Sequence, residues 1–113
     1  MIKLVVCAKK HPQLSVDEFH RHWRTTHADL FRRNPVCLKF IRRYVQSHTT
    51  PSDYAAGPVP YDGIAELWFD SAIDRDAFFQ HPEYKRKIAL DEPAFTDIRN
   101  SKWFYTTEEV IIG

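Results

Sequence analysis

Residues 19–30 read FHRHWRTTHADL, three imidazoles and an indole within twelve positions. Imidazole has an ordinary pKa near 6.5, which suits it to accept and return protons at neutral pH, and it is also the commonest nitrogen ligand of metal ions. Spacing separates the two uses. Two ligands on one helix converge on an ion only when they stand three or four residues apart. His20 and His22 diverge by about 200° around a helix, and His20 and His27 lie two turns, roughly 10 Å, apart. His11, His48 and His81, taken with the carboxylates, form no HExxH and no HxH-on-strand pattern. The expectation is therefore no metal, with His20 and His22 on a solvated helix flank. With His20 at zero and 100° per residue, Val16, Phe19, Trp23, Thr26 and Leu30 fall within about 240–320°, one stripe to be buried. His27, at about 340°, sits on the shoulder of that stripe. From there it can look into a cavity beside the core or rest as a satisfied histidine at the core edge.

The elements that must position these groups can be read from periodicity and capping. Residues 2–9, IKLVVCAK, alternate as a strand does, with Ile2, Leu4, Val6 and Ala8 on one face. Ser15-Val-Asp-Glu18 carries a capping box, so a helix is expected from there to about Phe31. Leu38 to Ser47, rich in β-branched and aromatic residues, reads as the second strand. HTTPSDYAAGPVPY, from His48 to Tyr61, reads as a loop, and its length suggests a lid. Residues 62–70 read as the third strand, and Ser71-Ala-Ile-Asp74 caps a short helix ending near His81-Pro82. A helical piece at about Glu83 to Ala89 and a turn opened by Asp91 and Pro93 follow, and WFYTTEEVII closes the chain as the fourth strand. The order β-α-β-β-α-β predicts an α+β, ferredoxin-like domain: a four-stranded antiparallel sheet with both helices on one face. The uncovered face still carries apolar side chains, Trp68 among them, so a homodimer through that face is expected.

Composition narrows the classes. The 113 residues suit one domain; 43% apolar and 27% charged is the balance of an ordinary globule. No apolar run approaches the roughly 18–20 residues of a membrane span. No signal peptide is read, so a cytoplasmic location is expected. A formal charge of +1, with both signs interleaved, supplies no field for nucleic acid or anionic lipid. Cys7 and Cys37 lack CxxC spacing and are expected as free thiols.

LSVDEFHRHWRTTHADL, FIRRYVQSH, YDGIAELWFDS, HPEYKRKIALDEPAF and TTEEVII together resemble the EthD-type domain, over nearly the whole chain. The likeness rests on Trp23 with His27, on Arg43 and Tyr44 with His48, and on Asp62 through Phe69. Ser47 stands where asparagine is common, and Ala28-Asp29 replaces a more usual Gly-Pro. The resemblance implies a dimeric α+β barrel with a pocket between sheet and helices in each subunit. It also implies a family range that includes cofactor-free dehydration or decarboxylation of aromatic polyketides and isomerisation of methyl-substituted muconolactones. Against such a pocket, His27 is the expected general base or acid, His48 the second, and Tyr44 a donor to a developing enolate oxygen. Trp23, Phe40, Leu67 and Phe69 are the expected walls for a planar apolar ligand, with plain core packing as the alternative for each. Phe40, Arg42, Tyr44, Gln46 and His48 share one row if the second strand is regular.

Two functions follow: a cofactor-free enzyme acting on small aromatic or lactone-like molecules, or a non-catalytic carrier or accessory of an oxidative catabolic system. No cofactor is expected, since no Gly-rich dinucleotide loop is present. RNA binding, which the same strand order also serves, is disfavoured because DGIAELWF opens with an acid and lacks the early stacking aromatics.

Overall fold

The computed structural model describes residues 1–113. Strand β1 (Ile2–Ala8) leads to α1 (Val16–His22), which runs without a break through a π-helical turn (Trp23–His27) into α2 (Ala28–Arg32). Then come α3 (Pro35–Phe40), β2 (Ile41–His48), α4 (Pro51–Ala56), β3 (Gly63–Phe69) and α5 (Ala72–Gln80). A second π-helical turn (Tyr84–Ile88), α6 (Glu92–Phe95) and β4 (Lys102–Thr106) complete the chain. The sheet order is β2-β3-β1-β4 and every pairing is antiparallel, which is the ferredoxin-like arrangement expected from the sequence.

The capping box forms as read. Ser15 Oγ accepts from the Glu18 amide at 3.1 Å and Glu18 Oε1 accepts from the Ser15 amide at 2.9 Å, an N-terminus worth about 1 kcal/mol. Phe19 and Trp23 from the long helix meet Leu4, Ala65, Leu67 and Phe69 from the sheet, and Phe78, Ile88 and Phe95 close the core. Each such side chain contributes about 1.5–3 kcal/mol on burial. Gly63 is required where it stands: a Cβ there would lie 2.5 Å from Cζ3 of Trp23, so the indole packs directly on the strand backbone.

Four local readings need correction. Residues 38–40 are helical, because Asn34 Oδ1 accepts from the amides of Val36 and Cys37 while Pro35 occupies the first turn. The second strand therefore starts at Ile41 and carries a bulge between Ile41 and Arg43. Phe40 and Arg42 thus fall outside the row that Tyr44, Gln46 and His48 do share. The segment read as a loop contains α4, capped by Thr50 and opened by Pro51. The fourth strand stops at Thr106; Glu108 instead accepts from Trp68 Nε1 at 2.7 Å across the uncovered face of the sheet. On that face Lys3 and Arg43 lie over the Trp68 ring, 5.2 and 4.8 Å from its centre, and Phe104 is 51% exposed.

Candidate active site

A cavity of about 270 Å³ lies between the long helix and the sheet, bordered by Trp23, His27, Tyr44, Leu67, Glu92 and Phe95 among others. The π-helical turn explains how His27 comes to face it. A wider turn advances each residue by less than the 100° of an α-helix, which carries His27 from the shoulder back into the buried stripe. There it is only 6% exposed. Asp91, at the start of α6, takes the ring from behind: its Oδ2 lies 2.9 Å from His27 Nδ1, and its Oδ1 lies 2.9 Å from His22 Nε2. A carboxylate only accepts, so both imidazole nitrogens donate. In the neutral ring this leaves Nε2 of His27 bare, with no protein partner, on the side of the cavity. Phe95 packs on both imidazoles, ring centres 4.8 Å from each.

Burial pushes the His27 pKa down and Asp91 partly offsets that, so the ring is held as a free base. Glu92 moves the other way. Desolvation and the neighbouring Asp91 raise its pKa, against the hydrogen bond it accepts from Tyr84 at 2.7 Å. The Tyr44 phenol, pushed up to about 12 by burial, stays protonated. Its oxygen accepts from Gln46 Nε2 at 3.0 Å, which leaves its own proton to give. A neutral imidazole and a protonated phenol thus border one apolar hollow together with a carboxyl group whose pKa is raised.

His48 is placed elsewhere. It borders a second hollow, which shares Phe31 and Tyr44 with the first but does not include His27. Its Nδ1 lies 2.6 Å from Nδ1 of His20; His20 Nε2 lies 2.9 Å from the Tyr54 hydroxyl; and Tyr54 donates to Asp62 Oδ1 at 2.6 Å. At the other end His48 Nε2 lies 2.9 Å from Gln46 Oε1, and Gln46 Nε2 donates to the Trp23 carbonyl and to Tyr44. His20 is therefore not on a solvated flank, being 7% exposed beneath Tyr54 of α4, and His22 is tied to Asp91. Burial lowers the His20 pKa, and burial together with His20 and Arg24 brings His48 down to about 4.

Of the four expected walls, Trp23 and Leu67 border the cavity. Phe40 lies in α3, packed beside the core under Lys39, and Phe69 is wholly buried against Phe78 and Phe79; neither reaches the hollow. Residues 49–61 border neither hollow, and the segment covers the helix flank through Tyr54. The sequence marks Asp91 only as opening a turn with Pro93 and gives no role to Glu92, and nothing in the local pattern signals a partner of Asp91 64 residues back. No group of three or more His, Cys, Asp or Glu side chains is arranged to hold a metal ion, and both cysteines are free.

An EthD family protein from Bacillus halodurans has a similar structure, with a TM-score of 0.71 at 20% identity over 96% of this chain and 99% of that one. A dimeric ferredoxin-like protein of unknown function from Bacteroides fragilis matches with a TM-score of 0.66 at 14% identity, 93% of each chain being covered. SnoaB, a cofactor-independent oxygenase from Streptomyces nogalater, matches at 0.65 and 15% identity, over 97% of this chain and 95% of that one. No curated protein matches the sequence. The family model of the EthD domain matches residues 11–99, so the chain belongs to the EthD domain family.

Proposed function

We propose that the cavity binds a small aromatic or lactone-type molecule and moves protons on it without a cofactor. The observation that carries this reading is the bare Nε2 of His27 on an apolar hollow, with Asp91 2.9 Å behind the ring. His27 takes a proton from the carbon beside a carbonyl, Tyr44 donates a hydrogen bond to the oxygen as it becomes an enolate, and Glu92 or the imidazolium returns a proton. From that enolate the outcome is elimination of a β-hydroxyl as water or migration of a double bond; a β-carboxylate instead leaves as carbon dioxide, its bonding pair forming the enolate, which Tyr44 stabilises and the imidazolium protonates at carbon. The description of SnoaB as cofactor-independent fits chemistry run by side chains alone. His48 acts, in this reading, through Gln46 on Tyr44. The working unit is a homodimer through the uncovered sheet face, where Phe104 and Ile64 are exposed; the Bacteroides fragilis relative is described as dimeric.

Incubation of an aromatic β-keto ester or a butenolide in D₂O, followed by NMR, reads the first step directly as deuterium at the α-carbon. Wild type should exchange it faster than buffer, and His27→Ala should be slower by about 10²–10⁴-fold. Equal rates in the two proteins refute catalysis by His27. Tight binding with no exchange in either identifies a carrier of such molecules instead.

A further inference from the structure

The second hollow, of about 450 Å³, has a charge pattern unlike the rest of the chain. The molecule as a whole carries +1, yet Arg24, Arg32, Arg42 and Arg43 border this one depression and no carboxylate does. Arg32 is held by Asp29 and Arg42 by Asp70, and the Arg43 guanidinium is turned to the other face of the sheet over Trp68, so Arg24 alone is left without a partner. Phe31, Leu38 and Ile41 give the same hollow an apolar wall, and His48 also borders it. A guanidinium fork matches a carboxylate in shape and charge, and an apolar wall favours a ligand body without further polar groups.

The hydrogen-bond chain beside the hollow has room for one proton more than its neutral form contains. Asp62 accepts at both oxygens, from the Lys10 amide and from Tyr54. The Tyr54 proton is thus committed, and His20 Nε2 must donate to it. A neutral His20 then has a bare Nδ1, so His48 Nδ1 must donate across the 2.6 Å contact. A neutral His48 would next turn a bare Nε2 toward Gln46 Oε1, whose orientation is fixed because the Gln46 amide nitrogen serves Trp23 and Tyr44. Two acceptors would face each other at that point. One added proton on the histidine pair satisfies every contact.

We propose that this hollow binds a small apolar carboxylate and that binding loads one proton onto the His20–His48 pair. The charged and titratable groups facing the pair are Asp17 and Arg24 on the long helix, Tyr54 on α4, Asp62 ahead of β3 and Tyr44 on β2. Arg24 opposes the proton, while Asp62 and Asp17 favour it. A carboxylate on Arg24 cancels the opposing charge, and the proton enters. The inference goes beyond the proposed function, since it holds whether the His27 cavity turns over a substrate or only carries one.

Benzoate binding to the full chain, measured by calorimetry at pH 8 and pH 6 in buffers of different ionisation heat, tests it. Affinity should rise on acidification by up to about tenfold per pH unit, with up to one proton taken from the buffer. Arg24→Gln should weaken binding at least about tenfold, and His48→Asn should abolish both the proton uptake and the rise in affinity on acidification. Undetectable binding overturns the site, and so does undiminished affinity in Arg24→Gln, which would put benzoate in the His27 cavity. Binding without proton uptake in wild type overturns the coupling. Inorganic phosphate competing as well as benzoate reduces the hollow to a cationic patch and overturns the assigned ligand class.

Discussion

Replacing Asp91 by alanine removes the acceptor behind His27 and that of His22 in one step. The side chain caps no helix amide, so α6 loses nothing directly. The two lost bonds differ in weight. The His27 side chain is 8% exposed, so water cannot replace the carboxylate, and a buried hydrogen bond to a charged acceptor contributes about 1.5–3 kcal/mol. The His22 side chain is 26% exposed and its bond is screened, contributing about 0.5–1 kcal/mol. Together they predict a loss of about 2–4 kcal/mol, a large part of the 5–15 kcal/mol typical of a domain. With a urea dependence of about 2 kcal/mol per molar, the unfolding midpoint drops by about 1–2 M. The sharper assay is a cycle with His27→Phe, which removes the donor and keeps a ring. Leaving either partner alone in the core costs more than removing both, so a coupling of about 1.5–3 kcal/mol is expected. Single losses that add to within about 0.5 kcal/mol would show that the Asp91–His27 bond is not made, and the orientation assigned to the base would fall with it.

Further outcomes follow from the same geometry. His20, His27 and His48 all sit below the ordinary histidine value, His48 at about 4, so the unfolded chain binds protons that the folded chain refuses. Stability should therefore decline as pH falls from about 6.5 toward 4, and urea titrations across that window showing a flat or rising stability would contradict the burial of these rings. Gly63→Ala should cost about 1–3 kcal/mol, because the new methyl group meets both the Ser47 carbonyl oxygen and, at 2.5 Å, the Trp23 indole; a neutral substitution would mean that neither the neighbouring strand nor the ring lies so close. Phe104→Lys, on the uncovered sheet face, should shift sedimentation toward the monomer while the far-ultraviolet spectrum is unchanged, and an intact dimer would move the interface elsewhere.

What could be read in the sequence was whatever depends on neighbours in the chain. The Ser15 and Ser71 caps, the alternation in the first and third strands and the apolar stripe of the long helix are all decided within one or two turns. The order of those elements then limits the topology, which is why the sheet was legible. The site was legible only on one side. His27 and Tyr44 stand on elements with clear periodicity, but Asp91, which orients the imidazole, comes from a turn 64 residues later. His20 looked solvated because the residues covering it belong to α4, a six-residue helix in a stretch of prolines and small polar side chains. A regular 100° wheel also could not show the π-helical turn, the very feature that carries His27 inward.

The claim on which the functional reading stands is that His27 holds its proton on Nδ1, toward Asp91, and offers a bare Nε2 to the cavity. Long-range ¹H–¹⁵N correlation spectra of uniformly labelled protein at pH 7, with His27→Gln to assign the ring, measure this directly. The account predicts a neutral His27 with protonated Nδ1 and unprotonated Nε2, titrating below 6.5. A ring protonated on Nε2, or one already cationic at pH 7, would contradict it.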